Sequence, residues 1–166
     1  MSSTEGNGRA GRIINILFLI EKGLLDIPVL YLSRYIISNK SLYYNGLRSV
    51  TEEGAWESWI LYMLKGLEQT AIATRERIVA IHQLIKKTAE IVRENLPRIY
   101  SKDLIEVLFR HPYCKIKFLE EANIGHRQTA STYLQQLEKI GILRSIRIGR
   151  DAYYINDAFL NLLKSD

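Results

Sequence analysis

Cysteine is almost absent: Cys114 stands alone among 166 residues. No intrachain disulfide is possible, and no second cysteine offers itself for a zinc site. Nor do a His-Asp or His-Asn arrangement around Cys114 mark it as a nucleophile, so it reads as a small, partly buried residue. Histidine is also scarce. His82, His111 and His126 are far apart on different elements, which leaves them structural or surface roles and no metal site. Proline occurs three times, at Pro28, Pro97 and Pro112, so long helices are permitted between those points. The apolar run Ile13–Ile20 falls far short of the ~20 residues needed to span a bilayer, and no small-residue cleavage site follows it. Neither a signal peptide nor a transmembrane segment is expected, and a reducing cytoplasm is the simplest setting. The charge excess is slight, +5, which favours an anionic partner only mildly.

What is present is mostly helix-forming sequence. GRIINILFLIEK, from Gly11 to Lys22, is apolar on nearly every face, the pattern of a helix buried on all sides, and Gly23 is placed to close it. Pro28 opens a short helix through Ile37, and another covers Lys40 to Leu47. Glu52 to Leu96 carries the longest helical signal. Trp56, Trp59, Ile60, Met63, Leu64, Leu67 and Ala71 form one stripe; Ile78, Ile81, Ile85, Ala89, Val92 and Leu96 form a second. The second stripe resembles a heptad seam, but it is barely long enough for a coiled coil, and packing onto its own domain is the favoured reading. Pro97 ends this helix and sets the expected boundary between domains 1–96 and 97–166.

After Pro97 the texture changes. A helix from Ser101 to Arg110 breaks at HPYC, because Pro112 disfavours helix at His111. A short helix through KIKFLEEA, a turn at Asn123-Ile124-Gly125, and a helix from Arg127 to Ile140 follow. ILRSIRIG and RDAYYIND then read as a hairpin around Gly149–Arg150, and AFLNLLK as a last amphipathic turn or two. This is the element order of a winged helix-turn-helix. In its third helix Ala130, Leu134 and Leu137 point inward, leaving Arg127, Gln128, Ser131, Thr132 and Gln135 outward. Those donor-rich side chains suit base edges and phosphates in a major groove. Arg144, Arg147 and Arg150 on the wing suit neighbouring phosphates, although the face that Arg144 occupies is open. Residues 97–166 carry eleven Lys/Arg against eight Asp/Glu, so DNA affinity is expected to weaken steeply with salt.

The stretch EGNGRAGR, Glu5 to Arg12, formally fits G-x-G-x-x-G. A dinucleotide-binding reading needs a strand before it, and Met1 to Thr4 cannot supply one. What remains is a glycine loop feeding a helix N-terminus, a place for an anion. Asn7 can donate from its amide, Arg9 and Arg12 offer fork geometry to phosphate oxygens, and Glu5 is an oxygen ligand for Mg²⁺. A purely structural turn is the alternative.

These residues resemble the second half of the signature of the Fic family, His-Pro-Phe-x-(Asp/Glu)-Gly-Asn-Gly-Arg-x-x-Arg. Glu5, Gly6, Asn7, Gly8, Arg9 and Arg12 match it position by position. The similarity continues through RIINILFLIEKGL, IPVLYLSRYI, NKSLYYNGL and WESWILYMLKGLEQTA, and several Fic proteins end in a winged helix. The resemblance implies a mainly α fold: part of a Fic-like helical bundle, then a winged helix-turn-helix with a small β-hairpin. It implies transfer of AMP from ATP to a hydroxyl of a protein target. Glu5 would hold Mg²⁺, Gly6-Asn7-Gly8 would cradle the phosphates, and Arg9 and Arg12 would grip their distal end. Tyr43 and Tyr44 would line the nucleoside pocket.

The departure is at the first position of the signature. Met1 stands where the family has the histidine that takes the proton from the target hydroxyl, and Ser2 and Ser3 replace Pro and Phe. The methionine side chain has no atom that accepts a proton at neutral pH, so general-base catalysis by this side chain is expected to be lost. The helices and target-aligning flap that the family places before the motif are not seen, and the Ile13–Ile20 helix lacks the partners that would cover it. Self-association, binding of the missing half, or rearrangement of the helices is therefore expected. Three readings stay open: a C-terminal piece of a Fic adenylyltransferase that is itself inactive, a non-catalytic DNA-binding or regulatory protein, and a nucleotide-binding pseudoenzyme.

Overall fold

The computed structural model describes residues 4–26, 31–149 and 151–164; the side chains of residues 4–9 and 12 lie outside that description. The chain is mainly α-helical with one small antiparallel sheet near its C-terminus. It divides into two compact units, residues 1–76 and 77–166.

The first unit holds α1 (Thr4–Glu21), α2 (Leu32–Ser38), α3 (Lys40–Glu53) and the first part of α4 (Trp56–Asn95). Helix α1 starts earlier than its apolar run, and takes in Gly6, Asn7 and Gly8, which the sequence assigns to a loop. Each glycine costs a helix about 0.5–1 kcal/mol relative to alanine. Elongation from an established helix nonetheless gains a hydrogen bond for every residue added, so the apolar run can carry its glycines. At the other end Gly23 closes α1 as expected. Its φ is +64°, and the Leu24 and Gly23 N–H groups donate to the Leu19 and Ile20 carbonyls at 2.9 and 3.0 Å, a Schellman arrangement. The helix expected to begin at Glu52 is interrupted. Gly54 takes φ +69° and ends α3, because a left-handed residue cannot continue a right-handed helix. The start expected at Pro28 lies outside the described residues.

Aromatic rings fill the space between α2, α3 and α4. Trp59 stacks on Tyr62 at 5.7 Å, Tyr43 meets Trp59 edge-on at 5.2 Å, and Tyr35 leans on Tyr62 at 5.4 Å. Two glycines make room for them. A Cβ at Gly46 would lie 2.7 Å from the Trp59 ring, and one at Gly66 would lie 2.5 Å from the Tyr35 ring. Among the described residues, only Leu32 and Ile36 are buried hydrophobics in this unit.

The second unit contains the remainder of α4 and then α5 (Lys102–Arg110), β1 (Tyr113–Cys114), α6 (Ile116–Glu121) and α7 (Arg127–Lys139). The hairpin β2 (Arg144–Ile148) and β3 (Asp151–Ile155) and the closing helix α8 (Asp157–Lys164) complete it. The Ser101 hydroxyl caps α5 by accepting from the Leu104 N–H at 3.0 Å. After Pro112 the chain runs extended, and Tyr113 and Cys114 pair with Ile155 and Tyr154, giving a sheet of order β1-β3-β2. A strand of two residues has no readable period, so the sequence shows only the hairpin. Val92, Leu104, Leu108, Leu119, Leu134 and Leu137 are fully buried, and Ile85, Ala89 and Leu96 pack against that core. The second half of the α4 stripe thus packs onto its own unit. In the turn before α7, Asn123 takes the left-handed conformation, φ +54°. Gly125 serves space instead: a Cβ there would lie 2.9 Å from Thr129 Cγ2.

Candidate nucleotide and nucleic-acid sites

Each half of the chain carries one candidate site. In the first unit, Glu5, Gly6, Asn7, Gly8, Arg9 and Arg12 all fall on α1, and apart from their place in that helix they lie outside the described residues. A helix leaves its first four N–H groups without intrahelical acceptors, and its dipole places partial positive charge there. Tyr43 belongs to the aromatic packing, edge-on to Trp59 and 5.4 Å from Tyr44 at 84°. Tyr44 is 65% exposed. Of this pair, then, Tyr44 presents a free ring surface, whereas Tyr43 is held by its neighbours.

In the second unit, α7 buries Ala130, Leu134 and Leu137 on one face. Arg127, Gln128, Thr132 and Gln135 are exposed, and Ser131 is half-buried. Two of these side chains bond along the helix: the Thr132 hydroxyl donates to the Gln128 carbonyl at 3.0 Å, and the Gln135 amide donates to the Ser131 hydroxyl at 3.3 Å. Arg127 and Gln128 stand at the N-terminal end of this face. His126 precedes α7 with extended backbone and makes no side-chain cap.

The wing arginines have different surroundings. Arg144 forms a bidentate pair with Asp157 at 2.7 Å on both arms. The bonded guanidinium holds the Asp157 carboxyl below the usual carboxylate range. Arg147 is exposed, and Arg150 lies outside the described residues. Glu138 accepts the Ser145 N–H at 2.7 Å, which ties the end of α7 to β2; hydrogen bonding from the Ser145 side chain, and then from its N–H, lowers the Glu138 pKa. Lys115 sits 4.1 Å over the Tyr153 ring and 3.3 Å from Asp151. The Tyr153 hydroxyl and the Asp151 carboxylate together raise its pKa. The hairpin is thereby tied at its base by Arg144–Asp157 and Glu138–Ser145, and along β3 by Lys115. Sequence spacing could not reveal these ties, because they join residues distant along the chain. Of the histidines, His111 stacks on Tyr113 at 5.8 Å and 21°, a packing role. Among the described residues, no group of three His, Cys, Asp or Glu could hold a metal ion, and no helix is long and apolar enough to cross a membrane.

A helical unit that closes on a small three-stranded sheet, with a polar face on the helix before the hairpin, defines the general class of the second unit. Comparison with protein families is more specific. Residues 84–159 match the family described as Protein adenylyltransferase SoFic-like, C-terminal domain. The match starts within α4 and ends within α8, so it takes in the core and the sheet of the second unit. It supports a relation of this chain to the Fic-family adenylyltransferases.

Proposed function

We propose that the chain is the C-terminal part of a Fic-type protein adenylyltransferase, and that by itself it does not transfer AMP. The observation that carries this reading is the family match over 84–159, taken with the half signature at Glu5–Arg12. In this reading the first N–H groups of α1, those of Gly6 and Asn7 among them, hold phosphate, Gly8 adds no side chain beside them, and Arg9 and Arg12 grip the outer phosphates. Glu5 ligates the Mg²⁺ that accompanies ATP. That ion would screen phosphate charge and orient the α-phosphorus for attack by the target hydroxyl. Tyr44 offers its exposed ring to the nucleoside. The Met1 side chain has no atom to take the proton from the hydroxyl, so in this reading the side-chain base that drives attack is missing.

The surface of the first unit agrees with this reading. Ile13, Ile14, Leu17 and Phe18 on α1, and Trp56, Ile60, Leu61, Leu64 and Ile72 on α4, are each more than half exposed. Covering one such side chain gains roughly 1.5–3 kcal/mol, so this is a surface shaped to be covered, as it would be by the rest of a Fic-type catalytic domain. A cytoplasmic setting goes with this reading.

The test uses labelled ATP, Mg²⁺ and a cell lysate. The chain as it stands is expected to label nothing. An N-terminal extension carrying the helices of a Fic-type catalytic domain, with His-Pro-Phe in place of Met1-Ser2-Ser3, is expected to label protein. The same extended chain with Met1 retained is expected to lose at least the 10²–10⁴-fold typical of general-base catalysis. Label transfer by the short chain, abolished by Arg9→Ala or Arg12→Ala, would overturn the inactive reading.

The second unit supports a further reading, DNA contact by a winged helix, because α7 exposes Arg127, Gln128 and Thr132 beside an exposed Arg147. Arg150 adds a further wing cation in this reading, Arg144 would have to exchange Asp157 for a phosphate to join it, and Ser131 stands at the edge of the α7 face. A gel shift with duplex DNA that weakens with salt, and weakens again in Arg127→Ala and Arg147→Ala, is the expected result. No shift at low salt would remove it.

A further inference from the structure

A groove lies within the second unit, between the end of α4 and the face of α7 that carries neither core nor exposed polar residues. Its lining is Asn95, Leu96, Pro97, Arg98, Ile99, Tyr133 and Gln136, and its volume is about 400 Å³. That is the scale of a small-molecule site, roughly 300–1,000 Å³. Pro97 creates it. The proline ends α4, and the chain turns through Arg98 and Ile99, whose N–H returns to the Leu96 carbonyl at 3.1 Å. The helix end is thereby held open opposite Tyr133 and Gln136, which neighbour each other at i, i+3 on α7.

Most of the lining is apolar, and Leu96, Pro97, Ile99 and Tyr133 supply it. One charge stands at the rim. Arg98 is exposed, and among the described residues no carboxylate, hydroxyl or ring engages it. Its neighbour Arg93 differs: it donates to the Tyr100 hydroxyl at 2.7 Å and lies 4.6 Å from that ring. The Asn95 amide nitrogen is used by the Ile91 carbonyl at 2.9 Å, which leaves the amide oxygen toward solvent. Flat apolar walls beside one unpaired guanidinium and the Gln136 amide make an amphipathic anion the complementary ligand. A guanidinium matches a carboxylate through two parallel N–H···O bonds.

We propose that this groove binds a small aromatic carboxylate, its ring between Pro97 and Tyr133 and its carboxylate on Arg98. Gln136 donates to the outer carboxylate oxygen. Inorganic phosphate or a DNA phosphate satisfies the arginine but leaves the apolar walls bare, so neither fills the site.

Ligand-observed saturation-transfer NMR on the full chain tests this, because it reads binding whatever the assembly state. Phenylacetate is the probe, and phenylacetamide, its uncharged isostere, is the control. Saturable transfer from phenylacetate is expected, with phenylacetamide about tenfold weaker, as befits loss of a charge-assisted pair. Arg98→Gln should bind the two alike. Gln136→Glu, which adds a carboxylate to the lining that holds Arg98, should bind phenylacetate poorly while still taking phenylacetamide. Absence of saturable transfer from phenylacetate overturns the proposal. So does equal binding of acid and amide by the unaltered chain, or an acid preference that survives in Arg98→Gln.

Discussion

Cys114 has 1% of its surface exposed, and burial pushes its thiol up to about 12. The thiolate is the reactive form, so iodoacetamide at pH 8 is expected to leave the native chain unmodified and to alkylate it fully in urea, read by intact mass. Fast labelling of native protein would mean that β1 opens. Asp157 and Glu138 titrate in the other direction. Bonded by Arg144 and by the Ser145 side chain and N–H respectively, both carboxyls are held below their ordinary values. A depressed carboxyl stabilises the fold above its unfolded pKa, and that contribution is lost as pH falls through the folded one. Protection of β2 and β3 amides against hydrogen exchange is therefore expected to drop on acidification below the normal carboxylate range. Asp157→Asn should flatten that dependence, with less protection at neutral pH.

At the scale of elements, glycines decide where helices may meet. Gly66 lies inside α4, where alanine would be the better helix former by about 0.8–1.0 kcal/mol. Its Cβ would nevertheless stand 2.5 Å from the Tyr35 ring, and overpacking of this kind costs typically 1–3 kcal/mol. Gly66→Ala is expected to destabilise the α2–α4 contact on balance. Gly11→Ala, with nothing within 4 Å of the new Cβ, is expected to stabilise α1. Amide exchange over the two helices distinguishes them, and a gain in both would show that the aromatic seam yields freely. In the second unit α7 is anchored by Leu134, which is fully buried among other core leucines. Leu134→Ala is expected to cost about 2–5 kcal/mol in urea unfolding, far more than any single change on its exposed face.

Across the whole molecule the two units differ in how much apolar surface they bury. The second has a closed core; the first leaves most of its large hydrophobic side chains in water. Contiguous exposed apolar surface marks an interaction site or an aggregation hazard. Light scattering of the chain alone is expected to give masses above 19.2 kDa at micromolar concentration, and covering the first unit should restore a single species. A monodisperse monomer would contradict this.

The elements of the second unit that follow Pro97 were legible from its amino acids. The break at HPYC and the turn at Asn123–Gly125 set off α5 and α6, apolar spacing marked the inner face of α7, the Gly149–Arg150 turn marked the hairpin, and Pro97 marked the end of the long helix, because each of these signals is local. The stretch Glu5–Arg12 could be read only as a resemblance, with methionine at the position where the resemblance places a base. Periodicity could not say which side of an apolar helix finds a partner, so α1 read as buried on all faces although its Ile13, Ile14, Leu17 and Phe18 stand in solvent. Nor could it reveal β1, the Arg144–Asp157 pair or the groove at Arg98. Those features join residues far apart along the chain, and they exist only once Pro97, α7 and the hairpin have been brought together by burial of the core.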